Sequence, residues 1–466
     1  MSRNEKPSAR TIAAEVLVRV HEDQAFASAA LDAELRRAAG LDPRDAALAT
    51  ELVYGVLRTE AWLDERITEH SSKGRGLSST RARAELHIGA YSLAFLDRVP
   101  SFAAVSEAVD GVRAEAGEGA GRYANAVLRG LAERFAAPKR PSLEDAIVAS
   151  APGWLRGALR RSIGRGPAER YLAAGPVPPP LGLAVAPGVE REVLAAELRE
   201  AFPRAEIALG LASPRALLAR GLGDPRRLPG FEERFIVQEE GAQLIALLLG
   251  ARPGEAVLDA CAGRGNKSWL LGGEVGPEGR VALADKYPAK LSAFERRAWS
   301  GAMSTHAVDW TVGPGDVPTG FDRVLVDAPC SGVGTLRRRP EIALHRSPSD
   351  VVELAELQVA ITRAAATRAR DGAMLVYAVC SVLREEAEAV VERLLGEPAA
   401  PGVRLEEACF EPAPGLELPR GAAQGGGEAS AESPAIPLES TSSLRLLPQL
   451  GGTDGYFVAA FRVRHV

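Results

Sequence analysis

Apolar positions recur at three- and four-residue intervals through the first third of the chain. Ile12, Ala13, Val16, Leu17 and Val20 form one such stripe; Leu48, Leu52, Val53, Val56 and Leu57 form another; Leu86, Ile88, Ala90, Leu93 and Leu96 form a third. This spacing marks one face of an α-helix, so residues 8–135 read as almost entirely helical. Gly40 with Pro43, the SSKGRG stretch over 71–76, and Pro100 interrupt the pattern as helix stops. A small helical bundle is the expected architecture. A proline-rich passage with Pro176, Pro178, Pro179 and Pro180 leads into a short mixed segment with one clear helix over 190–202. From Phe235 the period changes. Short β-rich runs over 256–259, 280–285, 304–309, 323–327 and 373–379 alternate with helical stretches, which predicts βαβ units and a parallel sheet. Residues 421–443, rich in Gly, Ala, Ser, Glu and Pro, read as a disordered insertion before a last strand over 456–463.

These patterns divide the 466 residues into a helical domain over 1–140, a connector or small accessory domain over 141–234, and an α/β domain over 235–466. Length alone suggests about three domains at roughly 150 residues each. The composition is that of ordinary globular proteins, and it excludes a collagen, a coiled coil and a wholly disordered chain. The apolar runs are too short to span a bilayer, and the charged start MSRNEKPSAR has no apolar signal core behind it. A soluble, cytoplasmic protein is therefore expected. The net charge of −5 restricts nucleic-acid binding to local patches. Four cysteines without a CxxC pair argue against a disulfide framework or a zinc ribbon.

Where the cysteines fall changes the picture. The first βα turn reads Asp259-Ala260-Cys261-Ala262-Gly263-Arg264-Gly265-Asn266-Lys267, a glycine-containing loop between a strand and a helix, which offers backbone N–H groups to a ligand. Asp285 ends the next strand, where an acid can grip two ribose hydroxyls, and Asp309 ends the third, suited to an adenine amino group. Acids ending successive strands beside such a loop point to an adenosine-bearing ligand. With only six lysines in the chain, Lys267 in that loop stands out. Cys261, Cys330 and Cys380 all stand just beyond strand carboxyl ends, where a parallel sheet places its ligand crevice. Cys409 reads as a structural residue.

The string DAPCSGVGTLRRRPEI over 327–342, the LQ pair at 357–358, and VCS at 379–381 before an acidic helix over 384–395 closely resemble the RNA cytosine-5 methyltransferases. FIVQEEGAQL and PQLGGTDGYFVAAFRVR match the same family, so the resemblance covers essentially everything from Phe235 onward. YGVLR at 54–58 and YANAVLRGL at 123–131 resemble the RNA-binding NusB family. The pair, in this order, is similar to the RsmB-type (Sun) rRNA cytosine-C5 methyltransferases. The resemblance implies a Rossmann-like class I methyltransferase domain behind a NusB-like bundle. It implies S-adenosyl-L-methionine as cofactor, small-subunit (16S) rRNA as partner, and no membrane or metal; a monomer is expected. It implies Cys380 as the nucleophile, Cys330 as an aid to product release, and Asp327 against the target base and the methionine. The loop Cys261, Ala262, Gly263, Arg264, Gly265, Asn266 and Lys267 would hold the cofactor, with Asp285 at its ribose and Asp309 at its adenine.

The family loop usually reads Cys-Ala-Ala-Pro-Gly-Gly-Lys, so Arg264 and Asn266 are departures; Asn tolerates positive φ better than most residues, which lets the backbone turn survive, and the glycine moved to 263 compensates for some of the geometry. Val379 stands where threonine usually precedes the nucleophile. Arg337, Arg338, Arg339, His345 and Arg346 form a basic strip suited to RNA phosphates. Two other readings remain at this level: an RNA-binding ribosome-assembly factor with a decayed cofactor site, and the same chemistry on tRNA.

Overall fold

The computed structural model describes residues 7–38, 40–71, 76–136, 140–175, 178–295, 302–412, 416 and 438–466. Most of the SSKGRG stretch and residues 421–437 of the expected insertion lie outside the described residues. Two compact units emerge: residues 1–156, 169–178 and 336–345 form the first, and residues 157–168, 179–335 and 346–466 form the second.

The first unit is built on α1 (Ala9–Glu22), α2 (Ala27–Arg37), α3 (Pro43–Glu69), α4 (Thr80–Phe95) and α5 (Ser101–Arg134). Ser8 caps α1, Asp42 caps α3 with Pro43 just inside it, and Ser79 caps α4, so side-chain oxygens satisfy N–H groups that have no intrahelical partner. Gly117, at φ 85°, breaks α5 into two joined helices. The three apolar stripes meet in one core, where Ile12, Val16, Leu52, Val56 and Ile88 are buried. Gly55 on α3 leaves room for the Tyr91 ring, which a Cβ would approach to 2.1 Å.

Residues 336–345 follow the cysteine motif in sequence but pack in this helical unit. Glu341, fully buried, accepts from the Ala27 N–H at 3.2 Å and so caps α2, whose own N-cap Phe26 supplies no side-chain hydrogen bond. Arg58 of the YGVLR string donates to the Arg337 carbonyl at 2.8 Å, and the His345 ring donates to the Val20 carbonyl at 3.0 Å.

In the second unit, β1 (Leu181–Val185), β2 (Glu206–Leu209), β3 (Ala216–Arg220) and β4 (Phe235–Val237) form an antiparallel sheet in the order β2-β3-β1-β4, covered by the helix Arg191–Ala201. Three helices over Leu143–Ser150, Gly153–Ile163 and Arg165–Ala173, which precede the proline-rich passage and are divided between the two units, were not read from the sequence. The large sheet contains β5 (Ala256–Asp259), β6 (Arg280–Asp285), β7 (Ala302–Ala307), β8 (Phe321–Asp327), β9 (Ala369–Val379), β10 (Val403–Glu407), β11 (Ser443–Leu446) and β12 (Tyr456–His465). Its order is β10-β12-β9-β8-β5-β6-β7, with β11 also on β12. Strands β5 to β9 pair in parallel, and β12 pairs antiparallel with β9, β10 and β11. Side chains alternate between two cores: Leu325, Met374 and Val376 face one, while Val324, Val326, Leu375 and Tyr377 face the other. Both faces are covered, which is why the strands read as continuous apolar runs.

Three expectations are corrected. Strand β7 ends at Ala307, so Asp309 lies in the turn beyond it. The acidic helix over 384–395 is a 3₁₀ turn, Arg384–Glu386, followed by a helix over Glu388–Gly396. Ala387, at φ −111° and ψ −104°, breaks the two apart. Residues 438–443 carry a buried turn, with Leu438 in the core and the Phe410 N–H bonded to the Thr441 carbonyl, so packing holds the end of the expected insertion in place.

Glu85 of α4 is buried beneath Gly111 of α5, and burial pushes its carboxyl up to about 7 despite Arg81 and Arg10 nearby. Between its ordinary value near 4.5 and about 7, an unfolded chain releases this proton while the folded one retains it, so stability falls as pH rises across that window. Glu85→Gln should abolish that decline, gaining up to about 3 kcal/mol at pH 8 and almost nothing at pH 4.5. Hydrogen exchange of the α4 amides in the full chain at the two pH values measures it.

Candidate active site

The chain runs from β5 outward through β6 to β7 and then returns to lay β8 on the other side of β5. That reversal splays the connections apart and opens a crevice beyond the carboxyl ends of β5 and β8. A cavity of about 290 Å³ occupies it, lined among others by Cys261, Gly263, Asp285, Asp309, Trp310 and Asp327.

The loop after β5 turns on Gly263 (φ 57°) and Gly265 (φ 77°). A Cβ at 265 would sit 2.2 Å from the Phe294 ring, so glycine is required there by both backbone and space. Asn266 is not among the positive-φ residues: the two glycines, the one moved to 263 included, carry the turn, and Asn266 opens the helix Asn266–Val275 with its amide 3.4 Å from the Val237 carbonyl. The Arg264 side chain is exposed. Asp285 holds the loop, its Oδ2 accepting from Gly263 N–H at 2.9 Å and its Oδ1 from Tyr287 N–H at 2.9 Å. A carboxylate offers about four lone-pair sites, so Asp285 retains capacity for hydroxyl donors. Asp309 is more engaged, with Thr311 on one oxygen and Lys286 at 2.8 Å on the other, and these bonds push its carboxyl down to about 2. Asp259, fully buried, is pushed up to about 6 by desolvation although Ser268 donates to it at 2.7 Å.

The Lys267 Nζ forms an ion pair with Asp327 Oδ2. Burial alone would lower its pKa, but Asp327, Asp259 and the Cys380 sulfur hold the proton on and raise it. The Sγ atoms of Cys330 and Cys380 lie 3.2 Å apart. The hydrogen bond to Cys380, burial, and the charges of Cys380 and Glu386 raise the Cys330 thiol well above its ordinary value. Burial and three surrounding aspartates do the same to Cys261, which leaves it an unreactive thiol. Gly334 locks the two motifs together. It donates to the Cys380 carbonyl at 2.9 Å and accepts from Gly455 N–H at 2.7 Å, and a Cβ there would lie 1.9 Å from the Gly455 oxygen.

Beneath the thiols lies a polar cluster that sequence reasoning missed. Glu386 Oε1 accepts from Ser331 N–H at 2.7 Å and Gln358 Nε2 at 3.1 Å, and its Oε2 accepts from Ser331 Oγ at 2.5 Å. Gln358 also donates to the Pro329 carbonyl at 3.0 Å, and the Tyr377 hydroxyl lies 2.9 Å from Gln358 Oε1 and 2.6 Å from the Glu386 carbonyl. Gln358, Tyr377 and Glu386 are all fully buried. The available signal was Gln358 interrupting an apolar helix face beside Ala355, Val359 and Thr362.

The basic strip divides. Arg337, Arg338 and Arg339 belong to the helical unit, where Arg339 lies over the Phe26 ring at 5.5 Å while remaining exposed. Arg346 belongs to the second unit and donates to the Ser331 carbonyl at 3.3 Å. Cys409 is exposed, which corrects its reading as a structural residue. Among the described residues no cluster of three metal-ligating side chains occurs, and no helix is long and apolar enough to cross a membrane.

A family model described as 16S rRNA methyltransferase RsmB/F matches residues 246–462, and the NusB family model matches residues 7–133. The ribosomal RNA small subunit methyltransferase B of Pseudomonas putida is 32% identical over 97% of this chain and 97% of its own length. Its probable counterpart in Synechocystis is 31% identical, covering 83% of this chain and 89% of the relative. Among solved structures, PH0851 superposes with a TM-score of 0.75 at 21% identity, covering 97% of this chain and 98% of that one. NSun6 from Pyrococcus horikoshii, solved with SFG, gives 0.52 at 18% identity over 67% of this chain and 98% of that one.

The loop geometry makes opposite forecasts for two neighbours. Gly265→Ala should destabilise the loop by about 1–3 kcal/mol, because strain at positive φ adds to the clash with Phe294. Arg264→Ala should change stability by less than about 0.5 kcal/mol, as expected of an exposed side chain. Thermal unfolding, with hydrogen exchange over residues 261–268, compares them.

Proposed function

The chain belongs to the RsmB/F family of 16S rRNA methyltransferases, and we propose that it transfers a methyl group from S-adenosyl-L-methionine to C5 of a cytosine in small-subunit rRNA. The observation that carries this reading is the pair of thiols in contact, with Cys380 interacting with Lys267, whose ion-pair partner Asp327 lines the acid-lined cavity. Cytosine C5 is too weak a nucleophile to take a methyl group unaided. A thiolate that adds at C6 pushes electron density onto C5, so the reaction needs a cysteine able to reach the base.

The donor set fits the cofactor: the glycine turn, the spare lone pairs of Asp285, and Asp309 at the rim. When bound there, S-adenosyl-L-methionine supplies an electrophilic sulfonium methyl. The protein's residues do the rest. Cys380, beyond β9, is the nucleophile whose sulfur bonds to C6. Asp327 faces the N3 and exocyclic-amine edge of the cytosine, where its carboxyl group stabilises the adduct, and Lys267 orients that carboxylate. After methylation the C5 proton passes to water, its bonding pair restores the C5–C6 double bond, and the C6–S pair departs onto the Cys380 sulfur. Cys330, 3.2 Å away, assists this release.

The cytosine must be unpaired or flipped to meet Cys380. Arg337, Arg338, Arg339 and Arg346 supply phosphate contacts that add affinity and salt dependence. The NusB-like unit supports RNA as the partner. Exposure of Arg264 supports a working cofactor loop over a decayed one.

Transfer of labelled methyl to unmodified small-subunit rRNA tests the reading. Cys380→Ala should abolish incorporation, by at least about a thousandfold, as for loss of a covalent nucleophile. Cys330→Ala should accumulate a covalent protein–RNA adduct that migrates slowly on a denaturing gel. No incorporation by the wild type would overturn the proposal, and incorporation with tRNA alone would move it to that substrate.

A further inference from the structure

The thiols of Cys330 and Cys380 are chemically alike and touch each other, yet the reaction asks different things of them. What separates them lies in their surroundings. Lys267 interacts with the Cys380 sulfur. Glu386 is bonded to both the N–H and the hydroxyl of Ser331, the residue next to Cys330. Its carboxylate receives three hydrogen bonds, all from neutral donors, and it is completely buried. Hydrogen bonding alone does not call for a charge there: a glutamine could accept from Ser331 N–H and Gln358 through its oxygen and donate to Ser331 Oγ through its amide. A buried carboxylate costs more than a buried amide, so the charge is the part of Glu386 that geometry leaves unexplained.

We propose that Glu386 is a positioning residue that assigns the roles of the two cysteines: its carboxylate holds the Pro329–Ser331 turn so that Cys330 meets Cys380, and its charge disfavours a thiolate on Cys330. Cys330 then keeps its S–H as a hydrogen-bond donor to the Cys380 sulfur, which gains the C6–S electron pair when the product departs. The titratable and charged groups around this pair are Tyr377 of β9, Tyr456 of β12, Glu386, Arg346 on the Ser331 carbonyl, and Asp327 with Lys267 against it. Of these, Glu386 contributes to raising the Cys330 thiol, together with Cys380 itself and burial. The inference deepens the proposed cytosine chemistry and rests on it.

Glu386→Gln removes the charge and keeps the hydrogen-bonded frame. In a Cys380→Ala background, the pH midpoint for iodoacetamide alkylation of Cys330, followed by mass spectrometry, should fall by about one unit or more when Glu386 becomes Gln. With both cysteines present, the decay of preformed covalent rRNA adduct should lose its rate at correspondingly lower pH. Adduct formation below that limb should stay within about threefold of wild type, since Cys380 itself is untouched. A merely structural role would lower every rate at every pH and leave the midpoint in place; that result, or an unchanged midpoint with unchanged release, overturns the proposal. If Glu386→Gln fails to fold, Ser331→Ala gives the opposite sign, because it strips a donor from the carboxylate and should raise the Cys330 midpoint. Alkylation needs neither RNA nor cofactor, so it judges Glu386 even where wild-type methyl transfer, the test of the underlying reading, fails.

Discussion

Parallel pairing of β8 with β9, in the register that sets Asp327 beside Ala378, is the constraint on which the site depends. In that register the strands end almost level, so the turn after Asp327 and the residue after Val379 emerge at the same height. Two cysteines distant in sequence then have little choice but to meet. A slip of one residue would turn every side chain of β9 to the opposite core, sending Tyr377 and Val379 where Met374 and Val376 now pack. The two hydrophobic cores therefore fix the register, and the register fixes the thiol contact.

Hydrophobic packing sets where the strands end but not how their loops fold. That is done by polar groups buried at a cost: Glu386, Gln358 and Tyr377 under the Cys330 turn, Asp285 under the glycine loop, and Asp259 with Ser268 at the start of the helix behind it. Each bonds backbone or side-chain groups of a loop that would otherwise be free to move. The Glu386–Gln358–Tyr377 network is bonded throughout, and such a network specifies a single geometry for the turn that carries Cys330. The break at Ala387 makes this possible, because it separates Glu386 from the helix that follows.

The helical unit has its own version of the same device. Residues 336–345 bring Glu341 to cap α2, and Arg58 and Val20 bond the segment in return. The basic residues of this segment are thus anchored by their backbone and by neighbouring side chains, with Arg339 resting on an aromatic ring and still open to solvent. A basic segment built this way presents its charges at defined places, without the entropic cost that ordering a free loop would carry.

Much of this was legible in the amino-acid sequence, and the reason is locality. Helical stripes, the strands β5, β6 and β8, and the glycine turn after β5 are set by residues near one another in the chain, so spacing and residue type determined them. Cys330, Cys380 and Asp285 stood out as candidates because strand ends in a parallel sheet lead to one crevice, and Asp327 stood out through the family resemblance. The tertiary structure decided what depends on residues far apart. It showed that two glycines rather than Asn266 take the positive φ, that Lys267 pairs with Asp327, that Cys409 is exposed, and that Glu386 faces inward beneath Ser331. Glu386 lies 55 residues from Ser331. A buried glutamate among surface-type neighbours carries no local sign of its burial, because burial is a property of the packed layers on either side and not of the segment itself.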